Sequence, residues 1–142
     1  MIIATSSPNK FKIGAWLIKV YQKTAYSHVL IIDGDSVYQA SHGLVNCMHI
    51  DNFLKDNTII DRFSVPNDTV DMTFVKKQLG VGYAFKQLIA IGVKYVTGIK
   101  LFSNHADSKF ICSEFVGQAL RIPWVDDYTT PKEIAEYLKG LK

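Results

Sequence analysis

The alternation of apolar and polar positions divides the chain into strands in its first half and helices in its second. Ile2-Ile3-Ala4 predicts a short strand. From Pro8 to Gln22 the apolar residues Phe11, Ala15, Leu17, Ile18 and Tyr21 recur near helical spacing and predict an amphipathic helix, with Ser7 as N-cap and Pro8 in the first turn. Ser27 to Ile32 is rich in β-branched residues and runs into Asp33-Gly34-Asp35, a strong turn signal. Ser36 to Ala40, Leu44 to Met48 and Thr58 to Val65 follow as strands. Helices are predicted over Asp68 to Leu79, Tyr83 to Val96 and Phe110 to Leu120, the second apolar nearly all round and so expected to be deeply packed. Thr130-Pro131-Lys132-Glu133 has the form of a capping box with proline in the first turn, and opens a last helix over Pro131 to Leu138. This order predicts an α+β fold with an antiparallel meander flanked by helices, not a doubly wound sheet. Residues 1–142 are read as one domain, without repeats or linkers.

Composition narrows the classes. Of 142 residues, 48% are hydrophobic and 20% charged, which excludes a disordered or low-complexity chain. Two cysteines are too few for a disulfide framework. A net charge of +3 is mildly basic, so no nucleic-acid partner is expected. The most apolar run, Leu88 to Val93, is fenced by Lys86 and Lys94 and is too short to span a membrane. The N-terminus lacks the basic region of a secretory signal, so a cytoplasmic location is expected.

Chemistry concentrates at two places. Cys112 sits at the expected start of a helix, where unpaired N–H groups and the helix dipole favour a thiolate, lower the thiol pKa, and can hold an oxyanion. Free cysteines are also often small buried hydrophobes. His28 opens a strand that turns through Asp33-Gly34-Asp35 into Val37-Tyr38-Gln39-Ala40. A two-residue loop puts Gln39 on the sheet face of His28, opposite it or diagonally across. Its amide oxygen would then accept the Nδ1–H of the ring, leaving Nε2 to take a proton from a thiol. Cys47, His49 and His42 are too few for a structural zinc, and no metal is expected. Glu114 beside Cys112, and Asp126-Asp127 before the last helix, read as solvated carboxylates. Lys10, Lys12, Lys19 and Lys23 dot the first helix and could steer an anionic partner, yet a solvated helix face is the commoner explanation.

Ser27-His28-Val29, Tyr38-Gln39-Ala40, Gly82-Tyr83 and Cys112-Ser113-Glu114-Phe115-Val116, in this order, resemble the circularly permuted papain-like hydrolases of the YiiX type. These are relatives of the NlpC-like cell-wall peptidases and of lecithin:retinol acyltransferase, and the opening of the chain is similar to short phage-borne members. The resemblance runs from residue 2 to about residue 135. It implies a permuted papain-like fold, Cys112 as nucleophile, His28 as base, Gln39 as the group orienting the ring, and Tyr83 and Ser113 lining the substrate site. Tyr83 matches the tyrosine of the family's G-x-x-Y segment, with Gly80 as its glycine; Ala84 stands where relatives often have aspartate. Gln39 stands where many relatives carry glutamate, and a neutral amide stabilises an imidazolium less than a carboxylate does. The implied activity is a cysteine hydrolase or acyltransferase without cofactor, acting on a peptide, cell-wall or acyl-lipid substrate. The alternatives are a binding module on the same fold, such as a host-interaction protein of a phage, that retains the pocket without turnover, and a lipid- or membrane-surface protein, suggested by the apolar helix around Leu88 to Val96 and the basic first helix, although burial explains that apolar helix more simply.

Overall fold

The computed structural model describes residues 1–41, 44–83, 93–94, 96–99, 109–126 and 128–141. Its elements are β1 (Ile2–Pro8), α1 (Ile13–Gln22), β2 (His28–Asp33), β3 (Ser36–Ser41), β4 (Leu44–His49), α2 (Ile50–Asp56), β5 (Asn57–Ser64), α3 (Met72–Lys77), β6 (Gly82–Tyr83), β7 (Lys109–Phe110), α4 (Cys112–Ala119) and α5 (Pro131–Gly140). The strands form one sheet in the order β5-β1-β2-β3-β4-β6-β7. Every neighbouring pair is antiparallel except β6 and β7. The class is therefore α+β with an antiparallel meander, as the alternation predicts.

Alternation along the central strands gives the sheet two apolar faces. Ile3, Val29, Ile31, Tyr38, Ala40 and Val45 form one, against which α4 and α5 pack through Phe115, Val116, Ala119, Ile134 and Leu138. Ala4, Leu30, Ile32 and Val37 form the other, covered by Phe53 of α2. The β2–β3 hairpin turns on Gly34 and Asp35, with Asp33 paired to Ser36 and Gly34 at φ 57°, a backbone that favours glycine.

Several boundaries differ from the sequence reading. β1 continues to Pro8 because it lies between β2 and β5. Its polar residues stay in the sheet, Thr5 Oγ1 accepting the Asp61 N–H at 3.0 Å. Ser7 is therefore a strand residue, not an N-cap, and α1 starts five residues later than expected, behind Lys12. α2 is not apparent in the periodicity; its N-cap is His49, whose Nδ1 accepts the Asp51 N–H at 3.2 Å. That contact gives His49 a structural role, and no group of three His, Cys, Asp or Glu side chains among the described residues could hold a metal. The helix expected over 68–79 is a 3-10 turn, Asn67–Thr69, followed by α3. Of the helix expected over 83–96, residues 84–92 and 95 lie outside the described residues; its Val96 end is exposed rather than deeply packed. Phe110 belongs to β7, so α4 opens on Cys112 itself. The capping box of α5 is present in full: Thr130 Oγ1 accepts the Glu133 N–H at 3.3 Å, and Glu133 accepts the Thr130 N–H at 2.7 Å. No helix among the described residues is long and apolar enough to cross a membrane.

Candidate functional site

The site is organised by a gap in the sheet. β2 and β3 are paired from Asp33↔Ser36 to Ile31↔Tyr38 and no further. In a two-residue hairpin, every second residue of β2 turns its N–H toward β3. Val29 is next in that series after Ile31, and its N–H reaches no β3 carbonyl. It lies close to the sulfur of Cys112 instead, where it favours the thiolate. The first residue of α4 is thereby tied to the main chain immediately after His28.

Nothing caps α4 from a side chain, since Ile111 is its N-cap. The N–H groups of Cys112 and Ser113 face the sulfur together with Val29. Each favours a thiolate, as the helix position predicts. Burial opposes them and prevails: Cys112 is 3% exposed, and its thiol is pushed up to about 11. The expected lowered pKa is therefore reversed, and at neutral pH the resting group is a thiol.

His28 and Gln39 lie on the sheet face that carries Leu30 and Val37. His28 Nε2 donates to Gln39 Oε1 at 2.8 Å. The expected pair is present, but through the other ring nitrogen. Extending the hairpin register puts Gln39 opposite Leu30, so it is diagonal to His28. The distal Nε2 makes the contact across that diagonal. A neutral ring that donates through Nε2 carries its lone pair on Nδ1.

Asn46 of β4, the register partner of Gln39, determines which end of the amide faces the ring. Gln39 Nε2 donates to Asn46 Oδ1 at 3.4 Å, and Asn46 Nδ2 donates to the Ser41 carbonyl at 3.3 Å. A fixed main-chain acceptor therefore orients Asn46, Asn46 orients Gln39, and Gln39 selects the Nε2–H tautomer of His28. Sequence reading missed Asn46. Its signal was a polar residue at an alternate strand position, legible only once the β3–β4 register is known. It also missed Ser6, which pairs directly with His28 across β1 and β2 and whose buried hydroxyl has no hydrogen-bond partner among the described residues.

Of the remaining predicted residues, Ser113 is fully buried and its hydroxyl donates to the Thr129 carbonyl, which anchors α4 to the segment before α5. It faces Cys112 through its N–H rather than facing solvent. Tyr83 lies in β6, paired with Phe110 two residues before Cys112, and its side chain lies outside the described residues. Glu114 accepts the Gln118 side-chain amide at 3.1 Å along the outside of α4.

No protein-family description matches this chain. No curated protein matches it in sequence.

Proposed function

We propose that the protein is a cysteine-dependent hydrolase or acyltransferase, built on a permuted papain-like fold of the YiiX type and acting in the cytoplasm. The observation that carries this reading is the contact of Cys112 Sγ with the Val29 N–H. It sets the thiol against the main chain one residue after His28; the ring itself, held at Nε2 by Gln39, lies on the sheet face opposite the one α4 covers, and the mechanism requires its Nδ1 to reach the sulfur past the open end of the β2–β3 pairing.

In this mechanism His28 Nδ1 takes the thiol proton as the sulfur attacks an acyl carbonyl, so the C–S bond forms as the S–H bond breaks. General-base assistance of this kind is worth about 10²–10⁴ in rate, and a resting thiol, not a preformed thiolate, makes it necessary. The developing oxyanion faces N–H groups at the start of α4. Collapse expels the amine, alcohol or thiol, which leaves with the proton held on His28. Water, deprotonated by the same nitrogen, then releases the acid and regenerates the thiol; a second acyl acceptor replaces water in a transferase. No cofactor takes part. Peptide, cell-wall and acyl-lipid carbonyls all suit this chemistry.

One observation favours a second reading. The burial of Cys112, with a neutral Gln39 behind the histidine, also suits a binding module that retains the pocket without turnover, such as a phage host-interaction protein. Assays of an activated thioester, a muropeptide and a phospholipid separate the two. Turnover of any one that is lost in both Cys112→Ser and His28→Ala supports the enzyme. Equal rates in wild type and both variants support the binding module.

A further inference from the structure

α1 is inside out. Ile13, Trp16, Leu17 and Val20 follow the i, i+3, i+4, i+7 spacing of one helix face, the face that ordinarily enters a core. Here that face, with Phe11 just before it, points outward, and the five side chains are between 36 and 77% exposed. The inward face carries Gly14, Ala15, Ile18, Lys19 and Gln22. Its polar members hold the helix in this orientation. Lys19 Nζ donates to Ser7 Oγ at 3.2 Å, and Gln22 Oε1 accepts the Lys132 N–H at 3.1 Å. Turning the stripe inward would break both contacts and bury an ammonium group.

We propose that this face of α1 docks on an anionic lipid bilayer, with the helix lying in the plane of the headgroups. The charge pattern identifies the occupant. The first acidic residue in the chain is Asp33, so Lys10, Lys12, Lys19 and Lys23 stand in a stretch of sequence that contains no carboxylate. Lys10 and Lys12 precede the stripe and Lys23 follows it, the arrangement in which lysines reach phosphates while aromatic and aliphatic side chains enter the acyl boundary. A hollow of about 220 Å³ beside the stripe is lined by Lys10, Lys12, Lys19, Phe11 and Trp16, a cationic and aromatic setting suited to a phosphate headgroup. A second copy of the chain fits less well, because stacking two such stripes brings the flanking lysines of both together. Ten residues are too few to span a bilayer, so the helix lies on the surface. Docking here does not depend on the proposed catalytic reading.

The test uses the full chain with Trp124→Phe, so that Trp16 is the remaining indole, and equimolar phosphatidylglycerol/phosphatidylcholine vesicles beside pure phosphatidylcholine vesicles. Co-sedimentation with the anionic vesicles only, with Trp16 emission shifting to the blue, is expected. Each lysine near an anionic surface is worth roughly fivefold in affinity, so Lys10→Glu with Lys12→Glu should weaken binding by more than tenfold. Ile13→Ser with Leu17→Ser should abolish the emission shift, both pairs being exposed and leaving the circular dichroism unchanged. Cys112→Ser should bind as wild type does, which separates this surface from the catalytic chemistry. Absence of binding at low salt, equal binding by both double variants, or a concentration-dependent dimer lost in Ile13→Ser with Leu17→Ser would overturn the proposal.

Discussion

Alkali should destabilise the protein through Cys112. In the unfolded chain the thiol loses its proton near pH 9, whereas burial holds the folded thiol up to about 11. Between these values the unfolded chain has released a proton that the folded chain retains. Stability is therefore intact below about pH 9, falls as pH rises, and stops falling above about pH 11. Two pH units at 1.36 kcal/mol each come to about 3 kcal/mol, a large part of the 5–15 kcal/mol that holds a typical domain together. Cys112→Ser retains an acceptor for the Val29 N–H and does not titrate in this range. Tyr26 and Tyr38, both raised by burial, titrate in either protein and cancel in the comparison. Urea unfolding of the two proteins at about pH 7.5 and about pH 10.5 measures the effect. Wild type should lose about 2 kcal/mol relative to the serine variant over that interval. A difference that stays constant with pH would show that burial does not control the thiol. A difference that grows in favour of wild type would mean that Cys112 is already a thiolate in the folded state, and would refute the reasoning.

Other expectations follow from the same contacts. Asn46→Ala frees the Gln39 amide to rotate, so long-range proton–nitrogen correlation spectra should show wild-type His28 as the Nε2–H tautomer and the variant as a mixture; an unchanged tautomer would remove Asn46 from the relay. Any turnover should fall about tenfold in that variant, the usual scale for a group that orients a functional side chain. At Gly117 a Cβ would collide with the side chain of Val125 and press on Ile134. Gly117→Ala should therefore cost about 1–2 kcal/mol in chemical denaturation, despite alanine's better helix propensity. Thr130→Ala removes half of the capping box of α5 and should cost about 1 kcal/mol by the same measure.

The parts of the site that a reader of the sequence could reach are those set by local chemistry. Asp33-Gly34-Asp35 dictates a tight hairpin, and the hairpin brings Gln39 to the face of His28. Which ring nitrogen engages the amide depends on the diagonal offset between β2 and β3, and spacing alone does not supply it. Cys112 near a helix start is legible because the helix-spaced apolar residues at 111, 115, 116, 119 and 120 begin beside it, although the sequence alone also draws Phe110 into the helix. The direction of its pKa is not, because burial by the sheet and α5 outweighs the N–H groups that are local to it. The stripe on α1 is visible as periodicity, yet periodicity does not say whether a stripe faces in or out. That is decided by Lys19 on Ser7 and Gln22 on Lys132, the second pair separated by 110 positions. Likewise Ser7 reads as an N-cap until β2 and β5 are seen to flank β1 as far as Pro8.

The most direct test is to trap the acyl-enzyme. Wild type incubated with an activated thioester and quenched in acid should gain the mass of one acyl group, mapped to the peptide carrying Cys112. The adduct should be absent in Cys112→Ser and form at least about a hundredfold more slowly in His28→Ala, the loss expected when a general base is removed. Acylation confined to Cys47 or to lysines, or an adduct on Cys112 that forms equally fast without His28, would contradict the proposed pairing of thiol and imidazole.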